Sequence, residues 1–295
     1  MPITGSCHHS MIDRPTNATE KRRAFRRLHE AGCFVIPNPW DVGGARFLQS
    51  LGFKALATTS SGHSWSQGYP DGAMPLASLL THLREIVRAS DVPVNADFGN
   101  GFAPDAAGVE ANVGLAIETG VAGLSIEDAT GDAEKPLFEI DTAVSRIRAA
   151  RAAIDKAGGD TLLVGRAECF LVGRPDLDET ILRLKLYAEA GADCLYAPGI
   201  RTREEIAAVV AAVAPKPVNL LVGSASGLVL GEIAALGVRR VSVGGALART
   251  AWGAFAHAAR LMAEQGRFDG FANALPGQEL DSFFRTDLSG REGKH

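Results

Sequence analysis

One junction recurs along this chain: a helical segment ends at glycine, a short linker follows, and an apolar strand begins. It appears as Glu30-Ala31-Gly32-Cys33-Phe34-Val35-Ile36 and as Leu51-Gly52-Phe53-Lys54-Ala55-Leu56-Ala57. It returns as Glu118-Thr119-Gly120-Val121-Ala122-Gly123-Leu124, Glu189-Ala190-Gly191-Ala192-Asp193-Cys194-Leu195 and Leu236-Gly237-Val238-Arg239-Arg240-Val241-Ser242. Glycine suits the left-handed position that ends a helix before the chain turns back as a strand. Two further junctions use proline, Val92-Pro93-Val94 and Lys216-Pro217-Val218, and residues 161–165 supply one more apolar strand. The pattern predicts eight strands, near residues 33–37, 55–59, 94–97, 123–127, 161–165, 194–197, 218–222 and 241–243. Apolar residues at three- and four-residue intervals predict helices over 77–88, 106–118, 141–156, 178–189, 203–213 and 226–236. Asp141, Asp178 and Ser226 read as helix starts.

Eight strand–helix units without a break in composition predict an α/β fold, a closed (β/α)8 TIM barrel. A doubly wound open sheet is the alternative. It would need a glycine-rich phosphate turn after its first strand, where this chain has Pro37-Asn38-Pro39-Trp40-Asp41. A length of 295 residues and 46% apolar content suit one large core. The expected organisation is a disordered tail over 1–17, a barrel catalytic domain over 18–265 opened by a helix, and a C-terminal helical extension with tail over 266–295. The tail is polar and carries His8-His9, for which a metal role is the minority reading. Residues 252–265 read as a long amphipathic helix. Beyond it Phe271, Leu275, Phe283 and Phe284 offer apolar groups that a finished barrel does not need, so a homodimer or homotetramer is expected.

The mild net charge of -4 argues against nucleic acid or an anionic membrane as partner. No apolar run approaches the roughly 20 residues of a membrane span. With no apolar signal core at the N-terminus, a cytoplasmic location is the expectation. Cys7, Cys33, Cys169 and Cys194 lack metal-ligand spacing and read as reduced thiols.

Three strand ends are acidic: Val94-Asn95-Ala96-Asp97, Ser125-Ile126-Glu127-Asp128 and Gly165-Arg166-Ala167-Glu168. Ligands of parallel α/β folds sit at those ends. Carboxylates gathered on adjacent strand tips make a site for a hard cation, magnesium held by few protein ligands and several waters. The plainer reading has each acid capping a helix or pairing with a lysine. Arg166 suits a bidentate grip on a substrate carboxylate, or else an internal salt bridge to Glu168 or Glu127. Thr58-Thr59-Ser60-Ser61-Gly62-His63-Ser64-Trp65 offers hydroxyl and N–H groups to a carboxylate, and is equally readable as a solvated turn with His63 on the surface. Asp71, in the turn Gly68-Tyr69-Pro70-Asp71-Gly72, is a turn residue or a site acid. Tyr196 points either to the site or into the core, and the core is favoured.

Taken in order, Ser61-Gly62, Gly68-Tyr69-Pro70-Asp71, Asn95-Ala96-Asp97, Ser125-Ile126-Glu127-Asp128 and Gly165-Arg166-Ala167-Glu168 resemble the isocitrate lyase/phosphoenolpyruvate mutase superfamily over roughly residues 20 to 265. The resemblance implies a barrel whose last helix is swapped between subunits, a magnesium ion, and a 2-oxo acid or its enolate. It implies that Ser61 and Gly62 hold a substrate carboxylate, with Asn95 beside them, and that Asp71 opens a mobile loop. It further implies Asp97 and Glu127 as metal ligands and Arg166 as the substrate-contacting arginine. Two departures stand out. The first acid of the superfamily's Asp-x-Asp motif is Asn95 here, which weakens the expected magnesium site. The loop after the Glu-Asp pair, residues 129–138, lacks the cysteine and histidine of the superfamily's Lys-x-Cys-Gly-His sequence; it has Lys135 but no asparagine after it. Isocitrate-type cleavage is therefore disfavoured. The expected activity is a carbon–carbon lyase acting beside a 2-oxo acid through an enolate, of oxaloacetate decarboxylase or substituted-malate lyase type. Phosphonopyruvate chemistry and a non-catalytic 2-oxo acid-binding barrel are the alternatives.

Overall fold

The computed structural model describes residues 17–292. The readings of the tail, of His8-His9 and of Cys7 lie outside the described residues. Eight parallel strands run in the order β1 (Phe34–Ile36), β8 (Arg240–Ser242), β7 (Val218–Leu221), β6 (Cys194–Tyr196), β5 (Leu162–Arg166), β4 (Gly123–Glu127), β3 (Val94–Asp97) and β2 (Leu56–Ala57). The seam between β1 and β2 is spanned by a backbone bond from Ala57 N to Pro37 O at 3.0 Å. This is the (β/α)8 barrel that the repeat predicts. The five junction glycines Gly32, Gly52, Gly120, Gly191 and Gly237 all have positive φ. At Gly191, with φ of 107°, a Cβ would also lie 2.6 Å from the stem of Arg151, so both strain and contact select glycine.

The helices are α1 (Ala18–Leu28), α2 (Val42–Ser50), α3 (Ser60–Ser66), α4 (Leu76–Ala89), α5 (Ala106–Glu118), α6 (Ile140–Lys156), α7 (Leu177–Glu189), α8 (Arg203–Val213), α9 (Leu230–Ala235), α10 (Ala246–Gln265) and α11 (Gly277–Glu292). Three predicted starts shift. Glu139 and Asp176 take the cap positions expected of Asp141 and Asp178, and Asp176 Oδ1 accepts from Glu179 N at 2.9 Å. Ser226 starts no helix: its hydroxyl accepts from Leu228 N, and α9 begins four residues later. The helix expected at 252 starts at 246, directly after Gly244-Gly245.

Two apolar layers hold the barrel. Between strands and helices lie groups such as Leu83, Val109, Leu124, Ile147 and Leu184, all nearly or fully buried. Inside the barrel lie Ile36, Ala57, Leu162, Val164 and Cys194, closed from the N-terminal end by Phe25 of α1. Burying that one phenylalanine contributes about 1.5–3 kcal/mol. Arg22 and Arg26 fasten α1 there by donating to the carbonyls of Ile117, Val121, Gly159, Asp160 and Thr161. With one end plugged, the open end is the C-terminal rim, where the acidic strand ends lie. Among the described residues no helix is long and apolar enough to cross a membrane. Cys33, Cys169 and Cys194 are free thiols.

Candidate active site

Strand register builds the site. The Cα partners across the sheet run Asp97 with Ser125, then Glu127 with Arg166 and Arg166 with Tyr196. Adjacent strands therefore bring an acid, a guanidinium and a phenol side by side. Arg166 Nη1 lies 3.2 Å from Asp97 Oδ1 and 3.1 Å from Glu127 Oε2, and its Nε donates to Glu168. Its guanidinium carbon sits 5.2 Å from the centre of the Tyr196 ring. The internal ion pairs that were one reading of Arg166 are thus present, and they are gathered at the mouth of a cavity.

That cavity, of about 180 Å3, opens at the C-terminal rim, with Ser61, Asp71, Asn95, Asp97, Arg166 and Tyr196 among its walls. Tyr196 belongs to the barrel core and to the cavity wall at once. Glu127 reaches the cavity only through Arg166. Gly62 is packed behind it: a Cβ there would lie 2.8 Å from Thr59, 3.1 Å from Trp40 and 3.1 Å from Ala248, and its N–H donates to Thr59 Oγ1.

The serine-rich segment is not a solvated turn. It forms α3, capped by Thr59, and delivers the Ser60 N–H to Asp97 Oδ2 at 2.9 Å and the Ser60 hydroxyl to Asp71 Oδ1 at 3.1 Å. His63 is buried, not on the surface, and stacks on His82 of α4 with ring centres 3.7 Å apart and planes within 10°. The loop over 129–138 folds on itself through an antiparallel bridge between Ala129 and Leu137, with Lys135 exposed. None of its residues lines the cavity among the described residues.

Burial and like charge set the electrostatics. Burial pushes the Glu127 carboxyl up to about 8 against the pull of Arg166, and Glu168, Asp97 and Asp71 reinforce the rise. Glu168 is raised by burial against Arg166, and Asp71 by burial and then Asp97. Four carboxylates thus crowd one guanidinium, a repulsion that either a proton or a divalent cation relieves. Among the described residues no three His, Cys, Asp or Glu side chains are grouped to hold a metal directly. An ion here would have few protein ligands and a large water shell. Asn95 lines the same cavity with its groups engaged: its amide donates to Ala96 O, and its oxygen lies 3.5 Å from Arg240.

Several supporting groups were misplaced or missed by the sequence reading. Asp128, next to Glu127, faces the opposite way: it accepts from Tyr187 at 2.5 Å, Arg183 at 3.1 Å and Glu168 N at 2.8 Å. Asn38 ties the rim together by donating to Thr58 O and accepting from Val243 N and Gly244 N, each at 2.9 Å. Arg146, fully buried on α6, donates to Asn100 O, Ala103 O and Pro104 O and so props the loop after Asp97. The signal for Asn38 was present in sequence, a lone amide between two prolines at a strand end. For Arg146 nothing in sequence separates it from solvent-facing charges on helices, and Asp128 reads in sequence as one of the acids of the strand-end cluster, which its outward contacts correct.

The family described as phosphoenolpyruvate phosphomutase matches residues 25–263. An oxaloacetate decarboxylase of Paraburkholderia xenovorans (strain LB400) is 30% identical over 203 residues, 66% of this chain and 66% of that protein. A crystal structure from Burkholderia cenocepacia J2315 superposes with a TM-score of 0.87 at 48% identity, covering 91% of this chain and 97% of the other. Oxaloacetate acetylhydrolase in complex with the product oxalate superposes with a TM-score of 0.80 at 27% identity, over 95% and 100% of the two chains. Phosphonopyruvate hydrolase in complex with oxalate and magnesium superposes with the same TM-score at 26% identity, over 92% and 97%.

Proposed function

The chain belongs to the phosphoenolpyruvate phosphomutase family, and on that footing we propose that it is a lyase that breaks a carbon–carbon bond beside a 2-oxo acid through an enolate. A four-carbon 2-oxo diacid of the oxaloacetate type is the substrate, and decarboxylation is the reaction that asks least of the site. The C3–C4 bond breaks, C4 leaves as carbon dioxide, and its electron pair moves through C2–C3 to the carbonyl oxygen. Water returns one proton to C3, and pyruvate results. No cysteine or histidine acid is needed in the loop over 129–138.

The observation that carries this reading is Arg166, a permanent cation on the cavity wall at a strand tip. Its guanidinium holds the oxygen on which charge develops, while Asp97, Glu127 and Glu168 fix its plane before substrate arrives. Ser61 receives the carboxylate beside the carbonyl, and Gly62 behind it lets α3 seat against Trp40 and Ala248. Asp71 stands at the lip, linked to α3 through Ser60. Asp97 and Glu127 are the residues that would hold magnesium, which when bound adds Lewis-acid stabilisation of the same oxygen. The likeness to a magnesium- and oxalate-bound hydrolase supports this, and Asn95 lowers the affinity expected. Exposed apolar side chains along α10 and α11, Phe255 and Leu288 among them, support a homodimer or homotetramer.

Turnover of a panel of 2-oxo acids and phosphonopyruvate tests the reading. Magnesium-dependent pyruvate formation from a four-carbon diacid is expected, lost in Asp97→Ala and Arg166→Ala. Phosphate release from phosphonopyruvate would favour the second reading, to which the likeness to a phosphonopyruvate hydrolase lends support. Binding without turnover of any panel member would make the barrel a 2-oxo acid-binding protein.

A further inference from the structure

At the floor of the same cavity lies a second buried cation that the lyase reading does not use. Arg240 opens β8, is 3% exposed, and lines the cavity from below. Strand register leads to it from the rim: Glu127, Arg166, Tyr196, Asn219 and Arg240 are successive Cα partners across five strands. Its hydrogen-bond partners are all neutral. Nε donates to Asn219 Oδ1 at 2.8 Å, and Nη1 lies 3.5 Å from Asn95 Oδ1 and from His29 Nε2. No carboxylate lies within ion-pair distance of it among the described residues.

The other buried arginines are handled differently. Arg46 is paired with Asp287 and Asp91, and Arg183 with Asp128 and Glu179. Arg146 spends its donors on backbone carbonyls away from the cavity. A guanidinium cannot shed its proton, so burial without an anion is costly and calls for one. Burial, and next the charge of Arg240, hold His29 down to about 3, so that histidine is a neutral neighbour and offers no relief.

We propose that Arg240 is the anchor for the distal carboxylate of the substrate, with Asn95 and Asn219 as its positioning residues. The inference rests on the reading of the cavity as a 2-oxo diacid site and names the group that selects a diacid over a monoacid. Arg166 holds Asp97 and Arg240 meets Asn95, two residues apart on β3, a rise of roughly 6.6 Å. The C2 carbonyl oxygen at Arg166 and the C4 carboxylate at Arg240 are separated on that scale once a charge-assisted hydrogen bond is added at each. The placement also explains Asn95. An aspartate there would pair with Arg240 and cancel the charge that receives the ligand, so the neutral amide keeps the floor cationic.

The test is calorimetric titration with pyruvate and with 3,3-difluoro-oxaloacetate, a four-carbon 2-oxo diacid, in magnesium, on the wild type, Arg240→Gln and Asn95→Asp. The wild type is expected to bind the diacid at least about tenfold more tightly than pyruvate. Both variants should lose about tenfold for the diacid while pyruvate changes less than about twofold. Asn95→Asp keeps the guanidinium paired, so it carries the test if Arg240→Gln does not fold. Equal diacid affinity in wild type and Asn95→Asp would overturn the inference while pyruvate binding leaves the lyase reading standing. Tighter diacid and magnesium binding by Asn95→Asp would also overturn it, by making Asn95 a lost metal ligand. A wild type that binds neither ligand would overturn both the inference and the reading beneath it.

Discussion

At the scale of single residues, adjacent acids have opposite tasks. Side chains alternate across a strand, so Glu127 faces Arg166 inside the barrel while Asp128 faces α7 outside it. Arg166→Ala is expected to lower kcat/KM for the diacid by about 10²–10³-fold, checked by coupled pyruvate detection on protein whose circular dichroism matches the wild type. Asp128→Ala is expected to act on stability instead. It leaves the buried Tyr187 hydroxyl without its acceptor and Arg183 with Glu179 as its one carboxylate, at a cost of about 1–3 kcal/mol measured by denaturant unfolding. The sequence made Asp97, Glu127 and Arg166 legible as a group because charge at the end of an apolar strand is conspicuous. It made Asp128 look like part of that group, since the alternation that separates the two acids depends on where the strand ends. Arg240 was not legible: an arginine pair at 239–240 reads as a solvated strand start until the register turns one of the two inward.

At the scale of elements, α3 is the part that the sequence misrepresents most. Ser60-Ser61-Gly62-His63 has turn composition, and only the Thr59 cap and the packing of Gly62 against Trp40 and Ala248 make it a helix. Gly62→Ala is expected to push α3 off its seat, lowering stability by about 1–3 kcal/mol and raising KM, read from thermal melts and steady-state kinetics. The His63–His82 stack behind α3 gives a pH dependence. Burial, then His63, holds His82 down to about 3, well below its unfolded value near 6.5. The unfolded chain therefore binds more protons than the folded one between those values, and stability present above pH 6.5 is lost as pH falls toward 3. The melting temperature should decline from pH 7 to pH 4.5, and His82→Phe should flatten that decline; His29, also held down to about 3, supplies part of what remains. An unchanged slope in His82→Phe would contradict the assignment. Helices α5 and α8 match their predicted bounds, because thirteen and eleven residues between clear breaks give the pattern room to declare itself. The six residues of α9 do not.

At the scale of the whole molecule, the repeat of glycine-ended helices carries the barrel, and the plug of α1 leaves only the C-terminal rim for chemistry. The apolar surface of Trp252, Phe255, Phe268 and Phe271 lies outside that plan. Sedimentation velocity is expected to give a dimer or tetramer, and Phe255→Asp with Phe268→Asp to shift it toward the monomer; a wild type that sediments as a monomer would contradict the assembly. What composition and period cannot supply is the interior of the barrel, where strand tilt decides which charges meet. Arg166 and Arg240 share one cavity for that reason. The central claim is that an enolate is held against Asp97 and Arg166, and a crystal grown with magnesium and oxalate, an enolate mimic, tests it most directly. Oxalate in contact with the Arg166 guanidinium, with magnesium between it and Asp97, is the predicted result. Oxalate bound away from both residues would contradict the account.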